Sequence, residues 1–297
     1  MPALNEGRVA IVTGAGVGLG RSHALALAAS GAKVLVNDVA AANAAKVAGE
    51  IQAGGGAAEP DTHDISTDAG AKALVEHAVD AFGDLHVLVN NAGILRDKML
   101  VSMSEPDWDA VIAVHLKGTF GPARHAALRW RAQSKAGAEV DARIINTTSA
   151  SGIFGNVGQS NYGAAKAGIA AFTVITALEL ERYGITVNAV APRALTQMTA
   201  NLPRYQKIVA DGHADQMSPD HVAQVVVWLA SPNSRSVTGR VISVAGTLIS
   251  VVEGWHNGPA VDADQPWTAE ALDGVLPGLV KQAAPNADMT GDLPKRD

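Results

Sequence analysis

A tyrosine and a lysine lie four residues apart in the segment SNYGAAK, residues 160–166. The sequence predicts a helix over 160–183, on which Tyr162 and Lys166 would share a face. A tyrosine phenol has a pKa of about 10 and is a poor base at neutral pH, but a nearby ammonium favours the phenolate and lowers that pKa. Such a phenol can take a proton from an alcohol or give one to a carbonyl. Taken alone, however, the pair is more typical of an ordinary helix surface.

A serine hydroxyl could hold the oxygen on which such a phenol acts. Ser149 ends a predicted strand thirteen residues before Tyr162. Strand ends and helix starts meet at the carboxyl edge of a parallel sheet, where a nucleotide cofactor is also expected. We therefore expect Ser149 to lie near the tyrosine and the lysine.

The segment TGAGVGLG, residues 13–20, follows the first predicted strand and opens the first predicted helix. Glycines allow the backbone to turn tightly and to approach a pyrophosphate, and the helix N-terminus offers free N–H groups to it. A tight turn without a ligand is the alternative interpretation. The strand–turn–helix context favours a phosphate-binding loop.

Asp38 ends the second predicted strand, eighteen residues after Gly20. A carboxylate at this position can accept both hydrogen bonds from an adenosine ribose and would repel a 2′-phosphate. The residues that follow are Val39 and Ala40, not an arginine. This pattern favours NAD over NADP, and the alternative is an aspartate that caps the next helix.

Short apolar runs alternate with longer helical stretches along residues 8–246. The predicted strands are 8–13, 33–38, a third strand that residues 61–66 close, 85–93, 142–149, 185–192 and 240–246. Most of them are continuously apolar, as expected when helices cover both sheet faces, and repeated strand–helix–strand units imply a parallel sheet. We predict a single α/β domain over 1–246, with a doubly wound, Rossmann-type sheet of seven strands. Residues 247–297 are predicted to be an irregular extension, packed on this domain or on a partner subunit, with one short helix at about 268–282.

Composition excludes several classes of protein. The chain has 297 residues, of which 47% are hydrophobic and 18% charged, and it contains no cysteine, so disulfides and thiolate sites are excluded. The net charge is −6, and residues 253–297 carry eight acids and three bases. The sequence contains no basic stripe, so nucleic-acid binding is not predicted. We find no run of about 18 apolar residues and no signal-peptide pattern, so we expect a cytoplasmic protein without a membrane span. The nine histidines show no spacing typical of a metal site, so no catalytic metal is predicted.

Together these features resemble the short-chain dehydrogenase/reductase family. The matches run through residues 8–246 in the family's order. They comprise the glycine loop, Asp64 after the third strand, NNAG at 90–93, Ser149, Tyr162 with Lys166, then Pro192 and Thr196. The resemblance implies an oxidoreductase in which a nicotinamide carries the hydride and the protein supplies orientation and the proton.

The resemblance also implies a role for each matching residue. Gly14, Val17, Gly18 and Leu19 would cradle the pyrophosphate, Asp38 would bind the adenosine ribose, Asp64 and Ile65 would edge the adenine, Asn91 and Gly93 would line the cofactor near its riboses, and Thr196 would face the carboxamide. Tyr162 would be the acid/base and Ser149 would polarise the substrate oxygen. Lys166 would bind the nicotinamide ribose and lower the tyrosine pKa.

The chain departs from the family's pattern at two positions. His115 stands where most members have an asparagine that holds a water of the proton relay. A histidine can also bind water or shuttle protons, so we interpret His115 as a substitute member, with a helix-face histidine of purely structural role as a nearly equal alternative. Arg193 stands where the family usually has glycine. It could reach an anionic part of a ligand or point to solvent, and the sequence favours neither.

Three segments narrow the subgroup. VHLKGTF (114–120), NNAGILRDKML (90–100) and QPWTAEAL (265–272) are similar to the (3R)-hydroxyacyl-CoA dehydrogenase domain of multifunctional β-oxidation enzymes and to bacterial dehydrogenases of fatty-acyl or steroid catabolism. The resemblance implies a bulky secondary alcohol, CoA-linked or steroid. Candidates for a basic entrance are Arg96, Lys98, Arg193 and Arg204, although scattered surface charge explains them equally well. Residues 194–216, with Met198, Leu202 and Tyr205, are expected to form a mobile lid or a plain connecting loop.

Two other functions stay open at this point. One is the same chemistry on another small alcohol, polyol or ketone, and the other is a non-catalytic NAD(H)-binding sensor. The intact set of Ser149, Tyr162 and Lys166 argues against the sensor, because binding alone needs no tuned phenol. Family members commonly form tetramers through the helices that here fall at 105–134 and 160–183, so a homodimer or homotetramer is expected.

Overall fold

The computed structural model describes residues 3–196, 199–200 and 203–293, with residues 203–205 described by their backbone alone. Within this part of the chain one sheet of eight strands is present, in the order β3-β2-β1-β4-β5-β6-β7-β8. The strands are β1 (Val9–Thr13), β2 (Lys33–Asn37), β3 (Ala58–Asp61), β4 (Val87–Asn90), β5 (Ala142–Thr147), β6 (Ile185–Arg193), β7 (Val241–Ala245) and β8 (Leu248–Val252). Strands β1 to β7 are parallel to their neighbours, and β8 is antiparallel to β7.

Helices cover both faces of this sheet. The helices are α1 (Gly18–Ala29), α2 (Ala41–Ala53), α3 (Asp68–Phe82), α4 (Glu105–Ile112), α5 (Gly118–Lys135), α6 (Ala150–Ile153), α7 (Ser160–Leu180), α8 (Pro203–Ala210), α9 (Pro219–Ala230), α10 (Ala269–Leu272) and α11 (Leu276–Gln282). In β1, Val12 packs in one hydrophobic cluster with Leu27 of α1, whereas Ile11 packs in the other with Leu74 of α3. Successive strand residues face opposite sides, so a strand that is apolar throughout feeds both clusters. The α/β fold predicted from the sequence is confirmed.

The strand order reverses at β1. Strands β2 and β3 lie on one side of β1, and β4 to β8 lie on the other. In an open α/β sheet the crevice at such a switch point, outside the carboxyl ends of the strands, is where ligands bind. The loops after β1, β2, β4 and β5 all begin at this edge.

The sheet has one strand more than the seven predicted. After β7, Gly246 and Thr247 turn the chain, and Leu248 pairs with Ala245 to begin β8. Gly246 has φ of 60°, a conformation that glycine adopts without strain. Strand β8 follows β7 through a two-residue turn with no helix between them, so the strand–helix alternation of the sequence does not predict it.

Backbone contacts group the residues up to Val252 as one compact unit and Glu253–Asp297 as another. The predicted boundary after residue 246 therefore falls inside the β7–β8 hairpin. In the second unit the predicted helix at 268–282 is present as two short helices, α10 and α11. Thr268 caps α10 by accepting a hydrogen bond from the N–H of Ala271 at 3.3 Å. Pro277 lies in the first turn of α11, where its missing N–H costs nothing.

Helix α7 and the residues after it, Ser160–Tyr183, are long and apolar enough to cross a bilayer, with a mean hydropathy of 1.4 over the best window. These two criteria are also met by a core helix of a globular domain. Here α7 packs against β5 and β6, and it carries the buried side chains of Asn161 and Lys166. One face of α7 therefore packs on the sheet, although only 28% of the apolar window is buried.

Candidate active site

A cavity of about 190 Å³ opens at the carboxyl edge of the sheet. Twelve of the residues singled out from the sequence line it: Gly14, Val17, Gly18, Leu19, Asp38, Asn91, Gly93, His115, Ser149, Tyr162, Lys166 and Thr196. Four further residues line it: Gly20 of the glycine loop, Pro192 of the matched motifs, and Thr147 and Thr148, which were not singled out. The two threonines could have been found, because they directly precede Ser149 at the end of β5.

The glycine loop between β1 and α1 is too closely packed for side chains. Gly14 has φ of 60°, and a Cβ there would lie 2.7 Å from the Cα of Ala92. A Cβ at Gly20 would collide with the carbonyl oxygen of Gly14. Helix α1 begins at Gly18 with no side-chain cap and no acidic residue in its first turn. Its first N–H groups thus face the cavity without an acceptor from a capping side chain, an arrangement suited to a phosphate.

The carboxylate of Asp38 is held against this loop. Its Oδ2 accepts the N–H of Gly16 at 3.0 Å, and its Oδ1 accepts the N–H of Ala40 at 2.9 Å. A Cβ at Gly16 would lie 2.6 Å from the same Oδ2, so glycine is required for the approach. Asp38 does not cap α2, whose N-cap residue Ala40 has no side-chain cap. Asp38 is therefore a fixed negative group at the mouth of the loop.

Asn91 and Gly93 support the site from the end of β4. The Nδ2 of Asn91 donates to the carbonyl oxygens of Thr13 and Gly14, at 3.0 and 3.2 Å. The asparagine amide therefore braces the glycine loop. A Cβ at Gly93 would collide with the ring of His115, so glycine at this position makes room for the histidine.

His115 lies in a π-helical turn, Ala113–Lys117, between α4 and α5. Such π-helical turns are common at functional sites. The Nε2 of His115 lies 3.0 Å from the nitrogen and 2.8 Å from the oxygen of Ile94. Burial, together with the nearby Lys166, lowers the pKa of His115 to about 3. The imidazole is consequently neutral at physiological pH.

The ring of His115 also contacts the tyrosine. Its centroid lies 5.1 Å from that of Tyr162, with the planes perpendicular, a favourable edge-to-face arrangement. The Nδ1 of His115 is buried and has no hydrogen-bond partner among the described residues. The hydrogen bonding of one ring nitrogen is consistent with a structural role for His115. The contact of the ring with Tyr162 at the cavity is consistent with a place in the proton relay.

Lys166 is buried beside the tyrosine. Its Nζ donates to the carbonyl oxygen of Thr147 at 2.6 Å and lies 5.6 Å from the centroid of the Tyr162 ring. Burial lowers the pKa of Lys166 to about 7. The hydroxyl of Thr148 donates to the carbonyl oxygen of Lys166 at 2.7 Å, so the end of β5 holds both the lysine side chain and its backbone.

Ser149 follows these threonines and is the N-cap of α6. Its Oγ accepts the N–H of Ser151 at 3.2 Å. The same hydroxyl lines the cavity with Tyr162 and Lys166. The arrangement offers two hydroxyl donors and one ammonium around a single space, which is what protonation of a carbonyl or deprotonation of an alcohol requires.

Two predicted cofactor residues do not line this cavity. The side chain of Ile65 is 5% exposed and packs in a hydrophobic cluster, so only its backbone could contact a nucleotide. Asp64 is exposed, and its Oδ1 accepts the N–H of Ser66 at 2.9 Å. Both positions follow β3, whose end lies two strands away from β1.

The residues predicted to form a basic entrance and a lid differ in their surroundings. The Nζ of Lys98 is paired with Asp107 at 2.9 Å, and Arg96 is exposed, with Nη1 on the carbonyl oxygen of Leu95. Arg193 is half-buried at the end of β6, and its Nε has no hydrogen-bond partner among the described residues. Met198 and Leu202 lie outside the described residues, as do the side chains of Arg204 and Tyr205.

A second, larger cavity lies beside the first. It has a volume of about 590 Å³ and is lined by Leu195, Thr196, Ala200, Gln206, Val209 and Ala210. Thr196 lines both cavities. The segment predicted as a lid therefore borders a space with mostly apolar walls next to the hydroxyl cluster.

A family model described as short chain dehydrogenase matches residues 8–207. The chain belongs to the short-chain dehydrogenase family. It is 47% identical over 279 residues to hydroxyacyl-CoA dehydrogenase ChsB1 of Mycobacterium tuberculosis, covering 91% of this chain and 88% of that protein. It is also 40% identical over 263 residues to the peroxisomal multifunctional enzyme type 2 of Mus musculus. The aligned region covers 86% of this chain but only 33% of the mouse enzyme.

A solved structure is also similar over most of its length. The crystal structure of a short chain dehydrogenase from Mycobacterium avium has a TM-score of 0.88 and 47% sequence identity to this chain, covering 95% of this chain and 98% of the other. These findings confirm the family resemblance drawn from the motifs, including its likeness to hydroxyacyl-CoA dehydrogenases. The protein is an oxidoreductase of this family.

Among the described residues one group of histidine and carboxylate side chains lies close enough to share a metal ion: Asp61, His63 and His77. None of the three lines the cavity. No spacing within a single segment predicts this group, because the end of β3 and helix α3 bring its residues together.

Proposed function

We propose that the protein is an NAD-dependent dehydrogenase that interconverts a secondary alcohol and a ketone, with Tyr162 as the acid/base. The observation that carries this proposal is that Ser149, Tyr162, Lys166 and the glycine loop line one cavity. The alcohol oxygen would lie between the hydroxyls of Ser149 and Tyr162. Ser149 donates a hydrogen bond to it, and Tyr162 takes the hydroxyl proton as the carbon loses hydride. Hydride acceptance is the chemistry that a bound nicotinamide supplies.

The residues at the carboxyl edge of the sheet fit a dinucleotide. The glycine loop has no room for any Cβ at Gly14 or Gly20, and the first turn of α1 offers uncapped N–H groups. The choice of NAD over NADP rests on Asp38. Its fixed carboxylate can accept hydrogen bonds from a ribose diol, whereas a 2′-phosphate would meet a negative charge.

Lys166 supports both binding and proton transfer. With its pKa lowered to about 7, this lysine is only partly charged at neutral pH in the protein alone. The negative pyrophosphate of a bound dinucleotide favours the ammonium. Cofactor binding would therefore charge Lys166 when the charge is needed, and the ammonium 5.6 Å from the Tyr162 ring then stabilises a phenolate.

We assign His115 a place in the proton relay, acting through Tyr162. The ring touches Tyr162 edge-on, it stays neutral because burial lowers its pKa to about 3, and it lines the cavity. A neutral imidazole can accept a proton from one neighbour and donate from the other nitrogen. Its Nδ1, without a partner among the described residues, would hold the relay water.

For the substrate we propose a 3-hydroxyacyl-CoA, with a hydroxysteroid as the alternative of similar shape. The name of the mycobacterial relative with 47% identity supports the former. The 590 Å³ cavity beside Thr196 supports a long apolar substituent on either. A small polyol would leave that apolar space empty, so the alternative of a small alcohol substrate is disfavoured.

The proposal is tested by following NADH formation with a panel of 3-hydroxyacyl-CoA esters, hydroxysteroids and small polyols, with NADP in parallel. Turnover of one lipid class with NAD supports the proposal. Turnover of polyols alone would overturn the substrate assignment. Stoichiometric NADH binding without turnover of any substrate class would favour the sensor, which is the remaining function from a different class.

Assembly and location remain predictions. The faces of α5 and α7 expose large apolar side chains, among them Phe120, Leu128, Ile175 and Leu178. Such a surface on two long neighbouring helices suits association of identical subunits, so we propose a homodimer or homotetramer. Light scattering at micromolar concentration tests this, and a monomer would contradict it. A cytoplasmic location is tested by cell fractionation.

A further inference from the structure

Asp61, His63 and His77 form a compact cluster outside the cavity. One carboxylate oxygen, Oδ2 of Asp61, lies 2.7 Å from Nδ1 of His63 and 2.7 Å from Nδ1 of His77. The three atoms lie within 4.8 Å of one another. Two imidazoles that converge on a single carboxylate oxygen present three ligand atoms of the kind that divalent transition metals prefer.

The carboxylate is held in place by groups that would form a second shell. Asp61 ends β3, and its side chain is fully buried. Its other oxygen, Oδ1, accepts the side-chain N–H of Asn37 at 2.7 Å and the backbone N–H of His63 at 3.0 Å. These bonds fix the direction of Oδ2. Outer partners of this kind orient a ligand and strengthen its metal affinity.

The two histidine side chains are partly exposed, so an ion can reach them and their rings can move. The side chain of His63 is 44% exposed and that of His77 is 35% exposed, so an ion could enter from solvent. Ligand atoms around tetrahedral zinc are about 3.3 Å apart, given bonds of about 2.0 Å. Each ring would therefore move back from the carboxylate by roughly 0.6 Å and turn so that its Nδ1 points at the ion rather than at Oδ2, which a partly exposed side chain allows.

We propose that Oδ2 of Asp61 and Nδ1 of His63 and His77 bind a divalent transition metal of the zinc class, with water completing the coordination. Two imidazoles and one carboxylate suit zinc better than magnesium or calcium, which favour oxygen ligands throughout. The metal would tie the end of β3 to α3. Without it, the two Nδ1–H groups donate to the shared carboxylate.

The proposed metal site is connected to the part of the sheet edge where we propose that the nucleotide binds. The carbonyl oxygen of Asp61 accepts the backbone N–H of Asp38 at 3.0 Å, and Asp64 follows His63 directly in the chain. The bound ion would stiffen the strand ends that carry these two carboxylates. Its role is to stabilise the fold, and it takes no part in hydride or proton transfer.

The test uses tag-free, chelator-treated full-length protein titrated with Zn²⁺ against a chromophoric chelator. One zinc per chain is expected, and Co²⁺ in its place should give the visible absorption of a tetrahedral site. His63→Ala and His77→Ala should each weaken the zinc affinity at least tenfold, as expected for loss of a ligand. Zinc should raise the Tm of the wild type but not that of His77→Ala.

A matched control is His125→Ala. The Nε2 of His125 lies 2.9 Å from a single carboxylate, that of Asp68, and the structure groups no second histidine with this pair in the described part of the chain. This variant should bind zinc as the wild type does. Absence of a one-to-one complex in the wild type, or unchanged affinity in both His63→Ala and His77→Ala, overturns the proposal. Binding that is lost equally in His125→Ala overturns it as well.

Discussion

His115 and Tyr162 pack edge-to-face across the candidate active site, with ring centroids 5.1 Å apart and planes perpendicular. This contact is possible because residue 93 is glycine, since a Cβ there would collide with the histidine ring. The π-turn at Ala113–Lys117 and the glycine of β4's end thus act together. They place a neutral imidazole against the proposed acid/base.

Replacement of His115 tests whether it serves the reaction or the fold alone. His115→Phe keeps an aromatic edge against Tyr162 but removes both ring nitrogens. We expect kcat to fall roughly tenfold or more, with the KM for NAD little changed and with partial rescue in His115→Asn. The pH profile of kcat/KM should contain no ionisation near pH 6.5 that disappears in His115→Asn, because the pKa of His115 is lowered to about 3, whereas Lys166, with a pKa of about 7, titrates in both proteins. If His115→Phe and His115→Asn lose the same amount of rate and the same amount of Tm, the role of His115 is purely structural.

Tyr162→Phe removes the phenolic proton and leaves the ring that contacts His115. Loss of a general acid/base is expected to lower kcat by a factor of roughly 10² to 10⁴. NADH binding, followed by fluorescence titration, should stay within a few-fold of the wild type. Cofactor-linked turnover at the wild-type rate would show that another group transfers the proton.

Asp38→Ala removes the fixed carboxylate from the mouth of the glycine loop. We expect the ratio of kcat/KM for NAD to that for NADP to fall by about tenfold or more, because both the ribose hydrogen bonds and the repulsion of a 2′-phosphate are lost. Kinetics with the two cofactors at one fixed substrate concentration measure this ratio. Asp64→Ala is the matched control, since Asp64 does not line the cavity, and equal effects in both variants would contradict the assignment.

His23 of α1 makes the fold sensitive to acid. It is fully buried, neither ring nitrogen has a hydrogen-bond partner among the described residues, and burial lowers its pKa from 6.5 to about 4. Below pH 6.5 the unfolded chain gains a proton that the native state does not, so the free energy of unfolding falls by about 2 kcal/mol between neutral pH and pH 5.

The control for this effect is His23→Leu, which replaces the imidazole with an apolar side chain of comparable size. Urea unfolding at pH 7.5 and pH 5 should show a smaller loss in the variant. His115 also titrates in acid, so the comparison between wild type and variant isolates the contribution of His23. Equal losses in the two proteins would mean that the buried imidazole accepts a proton at its ordinary pKa.

The extent to which the sequence predicts this molecule depends on the range of the interactions involved. The strands that feed both clusters, as β1 does with Ile11 and Val12, follow from local apolar runs. The family resemblance, carried by motifs of fixed spacing, implied twelve of the residues that line the cavity, from Gly14 to Thr196. The β8 strand, the inward side chain of Ile65 and the contact of Asp61 with His77 were not predicted. Each of these depends on which segments pack together, and no local pattern reports that packing.

Lys166 shows that the candidate site is maintained at a cost to stability. Its buried ammonium donates a hydrogen bond to the carbonyl oxygen of Thr147, and burial lowers its pKa from 10.5 to about 7. At pH 7 and below, folding must bury the charge or release the proton. Replacement of a buried ion by a well-packed apolar side chain is often stabilising by about 1–4 kcal/mol. We therefore expect Lys166→Met to raise the free energy of unfolding at pH 7 while abolishing turnover.

The sign of the pH dependence gives a second readout for the same variant. Between the folded pKa of about 7 and the unfolded value, the unfolded chain holds the lysine proton more often than the native state. The stability of the wild type from this group thus rises with pH, by up to about 1.4 kcal/mol per pH unit. Urea unfolding at pH 7, 8 and 9 should show the advantage of Lys166→Met shrinking step by step. A variant less stable than the wild type at pH 7 would mean that the Thr147 hydrogen bond outweighs the burial of charge.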